Sequence, residues 1–242
     1  WWIKSEIPDS LSGKLGIDLE FEVDENRIKK RDGHEVIYKD YYILFHDLSQ
    51  LIFEIQYQSD DPRETVSVSS VKVKGSPKIR KDILHSYSSN LGHSLAEYAD
   101  KAVGSKLGTS IVEEAFLHLS AKNPNLLRPI GEKAFGSAIY KNFNHNVTRI
   151  DEIRPGDIVC MRSAKFTSHK GLGGLGVKNI SAGEGNEIYS AIVLQYDPKK
   201  DKIKVAESGK GGVVKKESYK FGEMKSGKIR IYRVVSRDSV GW

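Results

Sequence analysis

Groups able to act as nucleophile or base are few in this chain. Its single cysteine, Cys160, lies inside the apolar run Ile158-Val159-Cys160-Met161, where a thiol is normally a small buried hydrophobe with a raised pKa. Ser110 opens Ser110-Ile111-Val112-Glu113, a capping-box spacing at the head of a helix. Dipole and free N–H groups at such a place activate a thiolate, but a serine there serves first as an N-cap. The histidines His34, His46, His85, His93, His118, His145 and His169 are scattered. None has the i, i+4 partner that would let two imidazoles share a metal from one helix face, so neither metal nor cofactor is expected. The string Gly171-Leu172-Gly173-Gly174-Leu175-Gly176 matches a dinucleotide fingerprint, yet Val177-Lys178-Asn179 follows where a helix should open. It reads as a surface loop, and no glycine loop is followed by the Lys-Ser/Thr pair of a P-loop.

The elements that must position these residues change character along the chain. Over residues 1–77 the dominant period is two, in runs such as Leu19-Phe21-Val23, Tyr42-Ile43-Leu44-Phe45, Leu51-Ile52-Phe53-Glu54-Ile55 and Val66-Val68-Val71-Val73. With Arg31-Asp32-Gly33-His34, His46-Asp47-Leu48-Ser49-Gln50 and Ser59-Asp60-Asp61-Pro62 as turns, this predicts a meander of about five strands. Alternation stops at Lys74-Gly75-Ser76-Pro77. Ser94-Leu95-Ala96-Glu97 then predicts a helix closed by Gly104, and Ser110 starts a second helix that Asn123-Pro124-Asn125 closes. After a variable stretch, Pro155-Gly156-Asp157 launches the strand at 158–161. A glycine-rich loop fills 170–185, and strands follow at 191–196, 202–206 and 229–235. Meander, two helices, then antiparallel strands is an α+β order. The division expected is a β-rich subdomain over 1–77 and a second domain over 78–242, packed as one integrated unit because no flexible linker separates them.

The chain has 242 residues, with 38 Lys+Arg against 32 Asp+Glu and a net charge of +6. That length buries a core unaided, and no run approaches the roughly 18 apolar residues of a membrane span. One cysteine forbids an internal disulfide or a cysteine-based zinc site and fits a reducing compartment. The start at Trp1 suggests a fragment. Residues 160–242 hold 17 Lys+Arg and 8 Asp+Glu, a balance of +9, so the basicity belongs to the C-terminal strands. Lys202, Lys204, Lys215, Lys216, Lys220, Lys228 and Arg230 are the candidate face for an anion or partner, with nucleic acid not expected from so modest a charge. The 7 prolines form no PxxP, so the chain offers no SH3 ligand of its own.

Gly108-Thr109-Ser110-Ile111, Pro155-Gly156-Asp157-Ile158-Val159, Tyr189-Ser190-Ala191-Ile192-Val193 and Val205-Ala206-Glu207 stand in the order of a papain-like layout. The second half thus resembles the NlpC and CHAP amidase superfamily, which implies an antiparallel β core preceded by helices. Trp1-Trp2, the segment 42–50 and Val240-Gly241-Trp242 extend the likeness. The whole chain resembles the C-terminal domain family of the fungal myosin tail region-interacting proteins of cortical actin patches. By the resemblance the nucleophile position is Ser110, the base position Tyr189, give or take one residue, and the third position Glu207. A papain-type site needs a thiolate and an imidazole, so this set is degenerate. The implied function is a non-catalytic interaction domain in endocytic actin regulation, in the cytoplasm at the cortical patch, with class I myosin and WASP-type nucleation factors as partners. The alternatives are a hydrolase using Ser110 or Cys160 with His169 as base, and an anionic-lipid module on the basic C-terminal strands.

Overall fold

The computed structural model describes residues 1–170, 176–185 and 187–241. It divides into two compact units, Trp1–Lys78 and Ile79–Trp242.

In the first unit the period-two runs form β1 (Leu19–Lys29), β2 (Glu35–Phe45), β3 (Gln50–Gln58) and β4 (Ser67–Lys74), an antiparallel meander in chain order. There are four strands rather than about five, the apolar runs at 42–45 and 51–55 being parts of the longer β2 and β3. The Asp-Gly turn between β1 and β2 places Gly33 at φ 91°, with the His34 N–H donating to Asp32 Oδ1 at 3.1 Å. Ile37, Tyr41, Ile43, Phe53, Ile55 and Tyr57 form the buried face, and Trp1 and Trp2 pack against it. Lys39 fixes this N-terminal cover. Its ammonium, 1% exposed, donates to Trp2 O (2.7 Å), Ile3 O (3.1 Å) and Ser5 Oγ (2.7 Å) and meets Glu25 at 3.2 Å. A buried charge is tolerable only when so fully partnered.

The second unit opens with helix α1 (Lys81–Tyr87), a π turn over Ser88–Gly92 and helix α2 (His93–Lys101). Ser94, expected to cap this segment, is interior to it and donates to Asn90 O; the helical segment starts 13 residues earlier, at Lys81. Helix α3 (Ile111–Lys122) begins where expected, with Ser110 Oγ accepting the Glu113 N–H at 3.1 Å. Then follow β5 (Ser137–Phe143), β6 (Asn146–Arg149), β7 (Ile158–Lys170), β8 (Gly176–Ala182), β9 (Tyr189–Asp197), β10 (Lys202–Ser208), β11 (Val214–Lys220) and β12 (Met224–Arg233). All pair antiparallel in the order β11-β10-β9-β7-β12-β5-β6, with β8 on β7. The architecture is α+β.

Strands β5, β6 and β11 had no sequence expectation, and part of the anticipated glycine-rich loop is β8. Of the other glycines of that loop, Gly183 and Gly185 have positive φ, 67° and 62°, while Gly171, Gly173 and Gly174 lie outside the described residues, as does Trp242.

One ion pair ties the helices to the sheet. Arg233 and Asp157 are both 0% exposed. Arg233 donates through Nε to Asp157 Oδ1 at 2.5 Å and through Nη2 to Oδ2 at 3.0 Å. Its other N–H groups reach Leu84 O, Asp151 Oδ2 and Glu152 O at 2.8–3.1 Å. All five guanidinium donors are used. This is the structural meaning of Pro155-Gly156-Asp157. Asp157 anchors the head of β7 to the end of β12, while Gly156, at φ 87°, lets the π turn pack so closely that a Cβ there would overlap the Gly92 carbonyl.

Candidate functional site

Two hydroxyls occupy the head of α3. Ser110 caps it, and Ser208, at the end of β10, accepts the Ile111 N–H at 2.8 Å. Two of the helix's free N–H groups, which would otherwise face a ligand, are thereby satisfied by the protein.

Strand alternation decides what faces Ser110. Successive side chains on β9 point to opposite faces of the sheet, so Tyr189 and Ser190 cannot both look toward α3. Ser190 is the one that does. It lines a cleft of about 650 Å³ with Ser110, Phe116, Leu117, Phe135 and Ile188. Ala206 pairs with Ile192, and Ser208 and Ser190 each lie two residues beyond that pair, which puts them on the same face. The three positions gathered at the helix head are therefore Ser110, Ser190 and Ser208. Among the described residues no histidine or cysteine lines this cleft.

Tyr189 and Glu207 come together elsewhere, on the opposite face. Tyr189 Oη donates to Glu207 Oε2, Tyr219 Oη donates to the same oxygen at 2.8 Å, and Lys215 Nζ lies 3.0 Å from Oε1. Glu207 is 5% exposed. Burial above all, then the neighbouring phenol and carboxylate, push the Tyr189 hydroxyl well above the usual tyrosine range; burial does the same at Tyr219. Both stay protonated donors, and the carboxylate is spent on holding this cluster. Tyr189 and Glu207 thus lie away from Ser110, and the residues of β9 and β10 on its side of the sheet are Ser190 and Ser208.

Cys160 pairs with Ser190 across β7 and β9 and with Arg230 across β7 and β12. It is 6% exposed, and burial pushes its thiol far up against the opposing pull of Arg230. His169 stands on β7, paired with Val177, rather than in a loop; its side chain lies outside the described residues.

The seven basic residues of the expected face are not one patch. Lys202, Lys204, Lys216 and Lys220 share a face of the β10–β11 hairpin by register, whereas Lys215 turns the other way, to Glu207. Lys216 is paired with Asp100 at 2.6 Å and Lys220 with Glu223 at 3.7 Å. Lys228 and Arg230 sit three strands away on β12, and Arg230 shares its row with Ser190 at the start of β9, while Lys202 pairs with Asp197 at its end.

Residues 69–242 match the model of the AIM3/BBC1 cysteine proteinase-fold domain. The chain belongs to that family. An SH3 domain-containing protein of Schizosaccharomyces pombe is 32% identical over 247 residues, covering 100% of this chain and 15% of the relative. The chain therefore spans about 15% of the length of the curated relative it matches. No solved structure matches.

In this AIM3/BBC1 cysteine proteinase-fold domain the head of α3 carries Ser110 as its cap. Sequence reasoning found Ser110 but missed Ser190, Ser208 and the apolar lining. Counting back by twos from the buried Ile192 would have found Ser190. Ser208 follows in the same way from the buried Ala206, since β10 alternates without a break as far as Ser208.

Proposed function

We propose that this chain is a non-catalytic protein-interaction domain of papain-like, NlpC/CHAP-type layout, whose cleft beside Ser110 holds a peptide segment of a partner. The observation that carries this reading is the trio Ser110, Ser190 and Ser208 at the helix head. Acyl transfer of the papain type needs a thiolate, an imidazole that takes and returns its proton, and a group that orients the imidazole. Three neutral hydroxyls supply none of these. What remains is a concave site in which apolar side chains such as Val112, Phe116, Leu117 and Phe135 stand among Glu113, Arg128 and Glu132, a mixed lining usual in a binding pocket. Leu117, 60% exposed on its wall, is a ready anchor point.

The biological setting rests on the resemblance to the actin-patch family, with which an SH3 domain-containing fungal relative is consistent. We place the domain in a fungal actin-regulating protein of the cytoplasmic cortical patch, acting with class I myosin and WASP-type nucleation factors. Ion pairing at Lys215, Lys216 and Lys220 and the separation of the basic groups weigh against the anionic-lipid alternative. The test uses purified partner tails with this chain, read by fluorescence anisotropy. A class I myosin or WASP-type tail should bind and should lose about tenfold in affinity on Leu117→Glu. Binding of neither, or binding indifferent to Leu117→Glu, would remove the cleft from the interaction.

A further inference from the structure

Beside the Ser110 cleft lies a second recess, of about 130 Å³, lined by Lys133, Phe143, Cys160, Met161, Arg162, Ile188, Lys228 and Arg230. Four of these residues are cationic, and among the described residues no Asp or Glu lines the recess. The sheet register explains the concentration. Ser190, Cys160, Arg230 and Lys141 form one row across β9, β7, β12 and β5, and Arg162, Lys228 and Phe143 form the next. Arg162 thus directly faces Lys228, and Arg230 directly faces Lys141. Like charges placed opposite one another destabilise a sheet, so the arrangement costs stability that nothing in the fold requires.

Elsewhere on the same sheet Lys215, Lys216 and Arg149 are neutralised by carboxylates. Here Phe143 takes that place, with Lys228 Nζ 5.8 Å and Arg230 Cζ 5.3 Å from its ring centroid. A ring face steadies cations without cancelling their charge, which leaves the recess able to attract an anion. Ile188 lines both this recess and the Ser110 cleft, so the two are adjoining compartments of one groove. A basic recess of one or two side chains' volume next to an apolar cleft fits an extended peptide. A bilayer surface cannot enter so narrow a hollow.

We propose that the groove takes an acidic peptide segment, an apolar side chain lying in the Ser110 cleft and an Asp or Glu carboxylate held by Arg162, Lys228 and Arg230. The assignment rests on the reading of the cleft as a binding groove and adds the chemistry of its occupant. Guanidinium groups suit it because they bind carboxylates through two parallel N–H donors.

The test uses the whole chain and a short fluorescein-labelled peptide alternating Glu and Leu, compared with its Gln and Leu counterpart by anisotropy. The Glu peptide should bind at least about tenfold more tightly, with an advantage that shrinks as salt rises. Arg162→Glu combined with Lys228→Glu should erase that advantage. Lys199→Glu combined with Lys200→Glu changes net charge equally on the exposed β9–β10 turn and should retain it. Equal binding of the two peptides, or equal loss in both double variants, would overturn the proposal. So would binding confined to phosphatidylserine vesicles and lost with Arg162 and Lys228, which would make the recess a lipid site. Glu-peptide binding that survives those reversals but fails on Leu117→Glu would sink the acidic occupant while leaving the groove intact; cleavage of either peptide would instead sink the non-catalytic reading.

Discussion

A hydroxyl at Ser110 has no route to an anion at neutral pH without a base, and Ser190, which faces it across the cleft, cannot act as one. Restoring the missing chemistry tests that pairing. In a Cys160→Ser background, Ser110→Cys with Ser190→His should be alkylated by iodoacetamide at neutral pH about tenfold faster than Ser110→Cys alone, because an imidazole in reach stabilises the thiolate. Ser110→Cys with Tyr189→His should show no gain, since residue 189 points to the Glu207 face. Acceleration by Tyr189→His and not by Ser190→His would reverse the assignment. The helix head at Ser110 was legible from residue types, because its Ser-x-x-Glu spacing is a capping signal, although the same spacing at Ser94 falls inside a longer helical segment. The facing strand was not, since the choice between neighbours on a strand depends on its partners' register, and Glu207 had a plausible chemical role that its two phenol partners and Lys215 preclude.

Among the elements, the turn at 154–157 carries more of the fold than its length suggests. Gly156 meets the π turn between α1 and α2, and Asp157 meets Arg233. Gly156→Ala should destabilise the second unit by about 3 kcal/mol or more, from left-handed strain plus overlap with the Gly92 carbonyl. Urea unfolding measures this, and a loss below about 1 kcal/mol would show that the helices do not pack on this turn as described. Helix α1 escaped sequence reading because Arg80 provides no side-chain cap and only Leu84 of α1 is buried, so no apolar stripe announces it. The β5–β6 hairpin escaped for a different reason. Its two-residue turn, Asn144-His145, has both φ positive, 48° and 72°, and histidine is not a residue that signals such a turn. By contrast the long strands of the first unit, whose β2 and β3 alternate buried and partly exposed residues, were plain in the sequence.

For the whole molecule, the boundary between the two units falls in an exposed segment holding Lys78, Arg80 and Lys81. Limited trypsin digestion should cut there first and leave two resistant fragments near residues 1–78 and 82–242; first cleavage inside β1–β3 or the second unit's sheet would contradict the division. The charge of the C-terminal third falls into two groups, one on β10 and β11, where Lys215, Lys216 and Lys220 are ion-paired, and one in the groove, where Lys228 and Arg230 stand over the Phe143 ring. That separates the basicity of the sequence from any general attraction to polyanions and gives it a place beside Ser110. The decisive measurement is to incubate the native chain with a defined mixture of peptide and ester substrates and to follow every species by mass spectrometry. With three serines at the helix head and, among the described residues, no thiol or imidazole lining the cleft, every substrate should be recovered intact at the rate of the protein-free control. Hydrolysis above that control, abolished by Ser110→Ala, would show a working enzyme and contradict the non-catalytic reading.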